Sequence, residues 1–407
     1  MSKRVSRLGG VAALAALLSL GCSTTMPRHD MMAKAPASMA TSGTKAAELR
    51  TGLNALLGEH VLIAAVATSH ALGGREAAFK GAVMGLDANS VDIAKAIGSV
   101  YGTGAQEAFL PLWRKHINFI VDYTVGVATK DKAKQDKAVG DLVQYTQDFG
   151  AFLSSANPNL PKPVVADLVK AHVLTFKDVI DAQAAGDFPK AYTAVRTAYG
   201  HMQMIGDPLS AAIVKQFPER YAGWTDSPAA GLRSGLNLAF REHVVLAAMA
   251  TGSALGNRGA EFKAAADALD ANSVDIAKAI GSVYGTGAQE AFLPLWRKHI
   301  GFVVDYTTGV ATKDKAMQDK AVGDLVQYTQ DFGAFLNSAN PNLPKPVVAD
   351  LVKTHALTLK EVIDAQAAKD WQKVYTNLRG AAGHMQMIAD PLAEAIVKQF
   401  PHRFAQR

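Results

Sequence analysis

A chain of 407 residues, 49% apolar and 19% charged, is long enough for two domains with full cores. The formal net charge is +6, but Lys3, Arg4 and Arg7 supply three of those charges, and no Arg/Lys cluster interleaved with aromatic residues follows. That composition excludes an electrostatic footprint for nucleic acid, and a single cysteine excludes disulfides and thiolate metal sites from the folded part.

Residues 1–21 read as an export signal. Met1–Arg7 is basic, Leu8–Leu20 is apolar but too short to span a bilayer, and Gly21–Cys22 follows. Leu18-Ser19-Leu20-Gly21-Cys22 resembles the lipobox of bacterial lipoproteins. The usual Leu three positions before the Cys is Ser19 here, with Leu18 one further back. The resemblance implies cleavage before Cys22, lipid on its thiol, and membrane attachment through that lipid. Ser23 next to it suits the outer membrane of a bacterial envelope. Ordinary secretion is the alternative. Residues 22–44 are rich in Ser, Thr, Ala, Met and Pro without a period, and read as a flexible tether; Met26, His29, Met31 and Met32 belong to it.

The rest of the chain is one unit written twice. Leu86–Ile117 returns without a change as Leu269–Ile300, an offset of 183 that also aligns Glu59-His60 with Glu242-His243 and Gly200–Ile205 with Gly383–Ile388. The first copy occupies residues 45–218, a linker residues 219–230, and the second copy residues 231–407. Six helices are expected per copy. The first spans Ala46–Leu72, its apolar positions at helical spacing and Gly73-Gly74 ending it. A second covers Arg75–Val100, with a break expected where Asp87-Ala88-Asn89-Ser90 could cap a new start. A third covers Ala105–Thr129 and bends at Pro111. The fourth runs over Asp131–Ser155, the fifth starts at Pro163, and the sixth covers Phe188–Ile205, with Asp207-Pro208 capping a last piece. No stretch alternates as a strand would, so the fold class is all-α: two tandem helical bundles after a signal peptide and tether.

Four histidines recur in both copies, as His60/His243, His116/His299, His172/His355 and His201/His384. Each lies on the apolar stripe of a different helix. Inward imidazoles from separate helices are how bundles build metal and cofactor sites in their cores. Neutral imidazole suits copper, zinc or iron, and Met204 and Met387, one turn after His201 and His384, tilt the choice to copper. Glu59, Tyr123, Glu242 and Tyr306, with Asp122, are candidates to orient the ligands or add to them. No Glu-x-x-His, His-x-x-x-His or His-Glu-x-x-His motif occurs, so the expectation rests on which face each histidine occupies. The alternative is that each imidazole is a packed, hydrogen-bonded core residue.

The run LDANSVDIAKAIGSVYG, followed by FLPLWRKHI and VDYT, resembles a family of exported bacterial helical-repeat proteins, some labelled copper amine oxidase-like. The resemblance covers both copies and implies an envelope protein with a link to copper. It does not imply oxidase activity, since neither an Asn-Tyr-Asp/Glu setting nor a His-x-His pair is present. The expectation is a lipid-anchored envelope protein with a buried multi-histidine metal site in each bundle, serving buffering or sensing rather than turnover. A structural or adhesive surface module and a haem-binding bundle are the alternatives.

Overall fold

The computed structural model describes residues 40–405, which contain thirteen helices and no strand. The expected export signal, Cys22 and most of the expected tether lie outside the described residues. The first half comprises α1 (Lys45–Leu72), α2 (Glu76–Tyr101), α3 (Thr103–Ala128), α4 (Lys132–Ala156), α5 (Lys162–Ala184) and α6 (Phe188–Gln216). The second comprises α7 (Pro228–Leu255), α8 (Gly259–Tyr284), α9 (Thr286–Thr312), α10 (Lys315–Ala339), α11 (Lys345–Ala368) and α12 (Trp371–Gln399), then a short α13 (Pro401–Phe404).

Short connections force neighbours antiparallel. The tightest is a single residue, Gly102 between α2 and α3 and Gly285 between α8 and α9, with φ of 89° and 90° that a side chain would strain. Each helix packs on the next, and α6 returns to pack on α1, so six helices close into a ring; α7–α12 do the same. Within each ring the odd-numbered helices, α1, α3 and α5 in the first half and α7, α9 and α11 in the second, also meet across the axis.

The halves dock on each other through α1 against α7, α2 against α12 and α6 against α8. This explains why α1 and α7 are buried nearly all round: one face looks into the parent ring, the other at the opposite half. The interface carries two reciprocal ion triads. Arg379 of the second half holds Glu59 and Asp92 of the first, at 3.2 and 2.8 Å. Arg196 of the first holds Glu242 and Asp275 of the second, at 3.0 and 2.9 Å.

Three local expectations change. The break at Asp87–Ser90 is absent. Asn89 and Ser90 are buried inside an unbroken α2, where Asn89 Nδ2 donates to the Leu56 carbonyl and to Glu59 at 2.7 Å. α6 also continues through Pro208, because Asp207 accepts from Arg50 and Asn54 instead of capping a new start. Lastly, the end of the tether is docked. Thr41 and Ser42 donate to Glu394 Oε2, and Arg233 donates to the Ser42 carbonyl at 3.2 Å. Its counterpart in the linker is Thr225, whose carbonyl accepts from Arg50 at 2.8 Å. Thr44 and Ser227 then cap α1 and α7, so Pro228–Ala230 form the first turn of a helix rather than the end of a linker.

Candidate metal centre

His60, His116 and His172 sit on α1, α3 and α5, the odd helices that meet at the ring axis. They are 56 residues apart in sequence, each on the first helix of one of three successive hairpins. The ring is thus a three-fold arrangement of hairpins that brings one imidazole from each to the same level. His243, His299 and His355 repeat this on α7, α9 and α11.

In both halves the three imidazoles are buried, and each set offers nitrogens that lie within 4.8 Å of one another. The Nε2 atoms of His60 and His116 are 3.3 Å apart, and those of His243 and His299 are 3.2 Å apart. Two imidazole nitrogens bound at about 2.0–2.1 Å to one tetrahedral ion stand roughly 3.3–3.4 Å apart. Two of the three donors therefore already span the edge of such a tetrahedron, and the third needs a shift of order 1 Å to complete a face.

Aromatic side chains surround the donor set. Trp113 meets His116 edge-on, with ring centroids 4.6 Å apart, and Tyr145 lies beside it at 5.2 Å. Trp296 and Tyr328 stand likewise against His299, at 4.8 and 5.2 Å. The Nδ1 atoms of all six histidines, the Trp113 and Trp296 indole N–H groups and the Tyr145 and Tyr328 hydroxyls have no hydrogen-bond partner. Each such buried orphan costs about 1–3 kcal/mol, and an ion held on the Nε2 atoms leaves the Nδ1 and indole N–H groups as they are.

Burial also fixes the charge state. It pushes His60 and His243 well below the usual histidine range, with the neighbouring imidazoles adding to the effect. Burial lowers His116 and His355 to about 4, and His172 and His299 to about 3. Neutral imidazole is the form that coordinates a metal, so protons do not compete for these nitrogens near neutral pH. The two buried three-histidine groups can hold a metal ion.

The remaining expected residues fall elsewhere. His201 and His384 are not in the groups. Each lies on an even-numbered helix, half-buried, with Nε2 at 3.2 Å from the Leu168 carbonyl and 3.0 Å from the Leu351 carbonyl. Met204 and Met387 are 57% and 58% exposed, because one turn beyond an edge position leads out to solvent; the sulfur argument for copper goes with them. Glu59 and Glu242 are buried but serve the ion triads. Adjacent residues on a helix point about 100° apart, so His60 faces its own ring and Glu59 the other half. Tyr123 and Tyr306 donate to Asp181 and Asp364 at 2.7 and 2.6 Å instead of to a histidine. Asp122 is half-exposed beside Lys134. Tyr145 and Tyr328, against the site, were not anticipated. The signal for the trio was present in Leu56-x-x-x-His60-Val, Leu112-x-x-x-His116-Ile and Leu168-x-x-x-His172-Val, a shorter repeat nested in the longer one.

Compared with protein-family models, curated proteins and solved structures, the chain matches none.

Proposed function

We propose that the protein is an envelope lipoprotein that binds one transition-metal ion on each three-histidine group, two per chain, as a carrier or buffer. The observation that supports this most is the nitrogen spacing: donors from three helices, two of them already at a tetrahedral edge. Three imidazoles and no thiolate, thioether or carboxylate suit a borderline divalent ion, and the usual affinity order ranks copper(II) above zinc. A fourth position, open to water or a small ligand, completes the coordination. Among the described residues no carboxylate joins either trio, which favours holding the ion as the reading. Anchoring rests on the resemblance of the Cys22 segment to a lipobox.

The haem reading does not fit these rings. Two axial nitrogens across an iron stand about 4 Å apart, twice a bond of about 2.0 Å, with a porphyrin between them. A pair at 3.3 Å, with Trp113 edge-on to His116, leaves no such slot.

The test is metal content of the mature chain made without Cys22, loaded with copper(II) or zinc and dialysed. Two ions per chain are expected, one after His60→Ala or His243→Ala alone, and none after both. A wild-type content near zero removes the proposal and leaves a structural module.

A further inference from the structure

Histidines of each trio line the inner end of a cavity that the metal reading does not use. In the first half a cavity of about 220 Å³ runs from His60, His116 and His172 outward between α1, α2 and α3. Its walls are aliphatic and aromatic side chains, and its outer lining includes Val83, Val121 and Val125, which are 37–40% exposed, so it reaches the surface. In the second half the matching cavity starts at His243 and His299 and measures about 400 Å³. The only charged groups in either lining are Asp270 and Arg297, at the mouth of the second, paired to each other at 2.6 Å and about half-exposed.

The difference in size has a readable cause. Where the first cavity has Val83, Ile120 and Phe176, the second has Ala266, Val303 and Leu359. All three changes shorten a wall side chain, and Leu359 replaces the ring that stands one turn beyond the third histidine. The backbone scaffold around them is the same helix set, so the lost side-chain volume remains as space.

Apolar space of this kind, open at one end, takes uncharged apolar molecules. A dry apolar cavity of about 150 Å³ accepts benzene, and pockets for larger organic ligands begin near 300 Å³. We infer that both halves bind small uncharged hydrophobic molecules, the first limited to a single ring and the second admitting two fused rings. This depends on the cavities and not on the ion, so metal-free protein tests it and a failed metal measurement leaves it standing.

The probes are benzene and naphthalene, titrated into the metal-free mature chain by calorimetry and by ligand-observed NMR. Benzene binding in both halves is expected, with naphthalene at one site per chain. Giving the second half the walls of the first, by Ala266→Val with Leu359→Phe, removes the naphthalene site and keeps benzene. Giving the first half the walls of the second, by Val83→Ala with Phe176→Leu, raises naphthalene from one site to two. Every one of these side chains is already carried by the equivalent position of the same molecule, so folding is retained, and a melting curve verifies it. Failure of both probes to bind, two naphthalene sites in the wild type, or stoichiometry unmoved by either folded swap overturns the inference.

Discussion

Acidification of the metal-free protein tests whether the buried imidazoles are held neutral in the fold. Burial holds the six trio histidines below their usual value, and His70, buried between the halves, is lowered to about 3 by burial with Arg75 and Arg258 adding to it. In the unfolded chain all seven return to about 6.5. Below that value the unfolded state binds more protons than the folded one, so stability is full above pH 6.5 and falls as the pH drops toward the folded values of about 3–4. At pH 5.5 each group has removed about 1.4 kcal/mol, and seven together about 10 kcal/mol, comparable with the whole stability of a typical domain. Asp92, Asp390 and Glu394 are themselves held below the usual carboxylate range despite burial, by their hydrogen bonds and cationic neighbours, so they enter only at lower pH. Urea unfolding at pH 7.5, 6.5 and 5.5 reads the effect as proton uptake on unfolding, the slope of stability against pH. Uptake approaching seven protons near pH 5.5 is expected, and replacing His60, His116 and His172 with Leu lowers it by three. A stability flat between pH 7.5 and 5.5 would refute the claim that these imidazoles are held neutral in the fold.

Arg379→Ala leaves Glu59 buried without its cation and is expected to cost about 3–5 kcal/mol in urea unfolding, with Arg196→Ala equivalent through Glu242. Glu59→Gln with Arg379→Leu removes both charges and is expected to cost far less. His201→Ala, which loses one hydrogen bond to the Leu168 carbonyl, is expected to cost about 1 kcal/mol and leave the metal content unchanged; loss of an ion would return His201 to the site. A fragment of residues 40–224, the first half alone, is expected to dimerise, since Arg196 of one copy can meet Glu59 and Asp92 of another as Arg379 does in the whole chain; a monomer by light scattering would refute the pseudo-two-fold reading of the interface.

Helical periodicity and turn residues were enough to read the all-α class, the two copies and most helix ends. Thr44, Asp131 and Asp187 cap α1, α4 and α6 as short polar residues before apolar runs do. The two errors of continuity share a cause. Asn89 and Asp207 look like caps in one dimension, but each is bonded to a residue distant in sequence, Glu59 for one and Arg50 for the other, and such partners are invisible to a local pattern. For the site, face geometry placed His60, His116 and His172 on buried stripes, where the fold brings them together, but did not separate them from His201, because an apolar stripe marks burial and not the ring axis. The nested interval of 56 residues does reject it, since His201 follows His172 by only 29. The adjacency Glu59-His60 was legible as a pair; that its members serve different neighbours follows only from the docking of a second half against α1.

What the two halves share and where they differ points to two separate demands on one scaffold. Both keep the three imidazoles, the Trp and Tyr against them, and the Glu–Asp–Arg triad that binds half to half. Two groups of differences bear on these demands. One is the cavity wall, where Ala266, Val303 and Leu359 replace larger residues. The other is the seam, where His70 bonds Tyr375 and accepts from Arg75, while its equivalent Ser253 instead accepts from Arg258, and Arg258 pairs with Glu261. A donor set tolerates little change, because three nitrogens must meet one ion at fixed length. An apolar wall tolerates a shortened side chain at a cost in stability of about 1–3 kcal/mol, which a large two-ring molecule can absorb. A duplicated unit can therefore alter what reaches its inner end without altering the inner end itself. On the inference above, the cavities, rather than the histidines, are where the two halves differ in the molecules they admit.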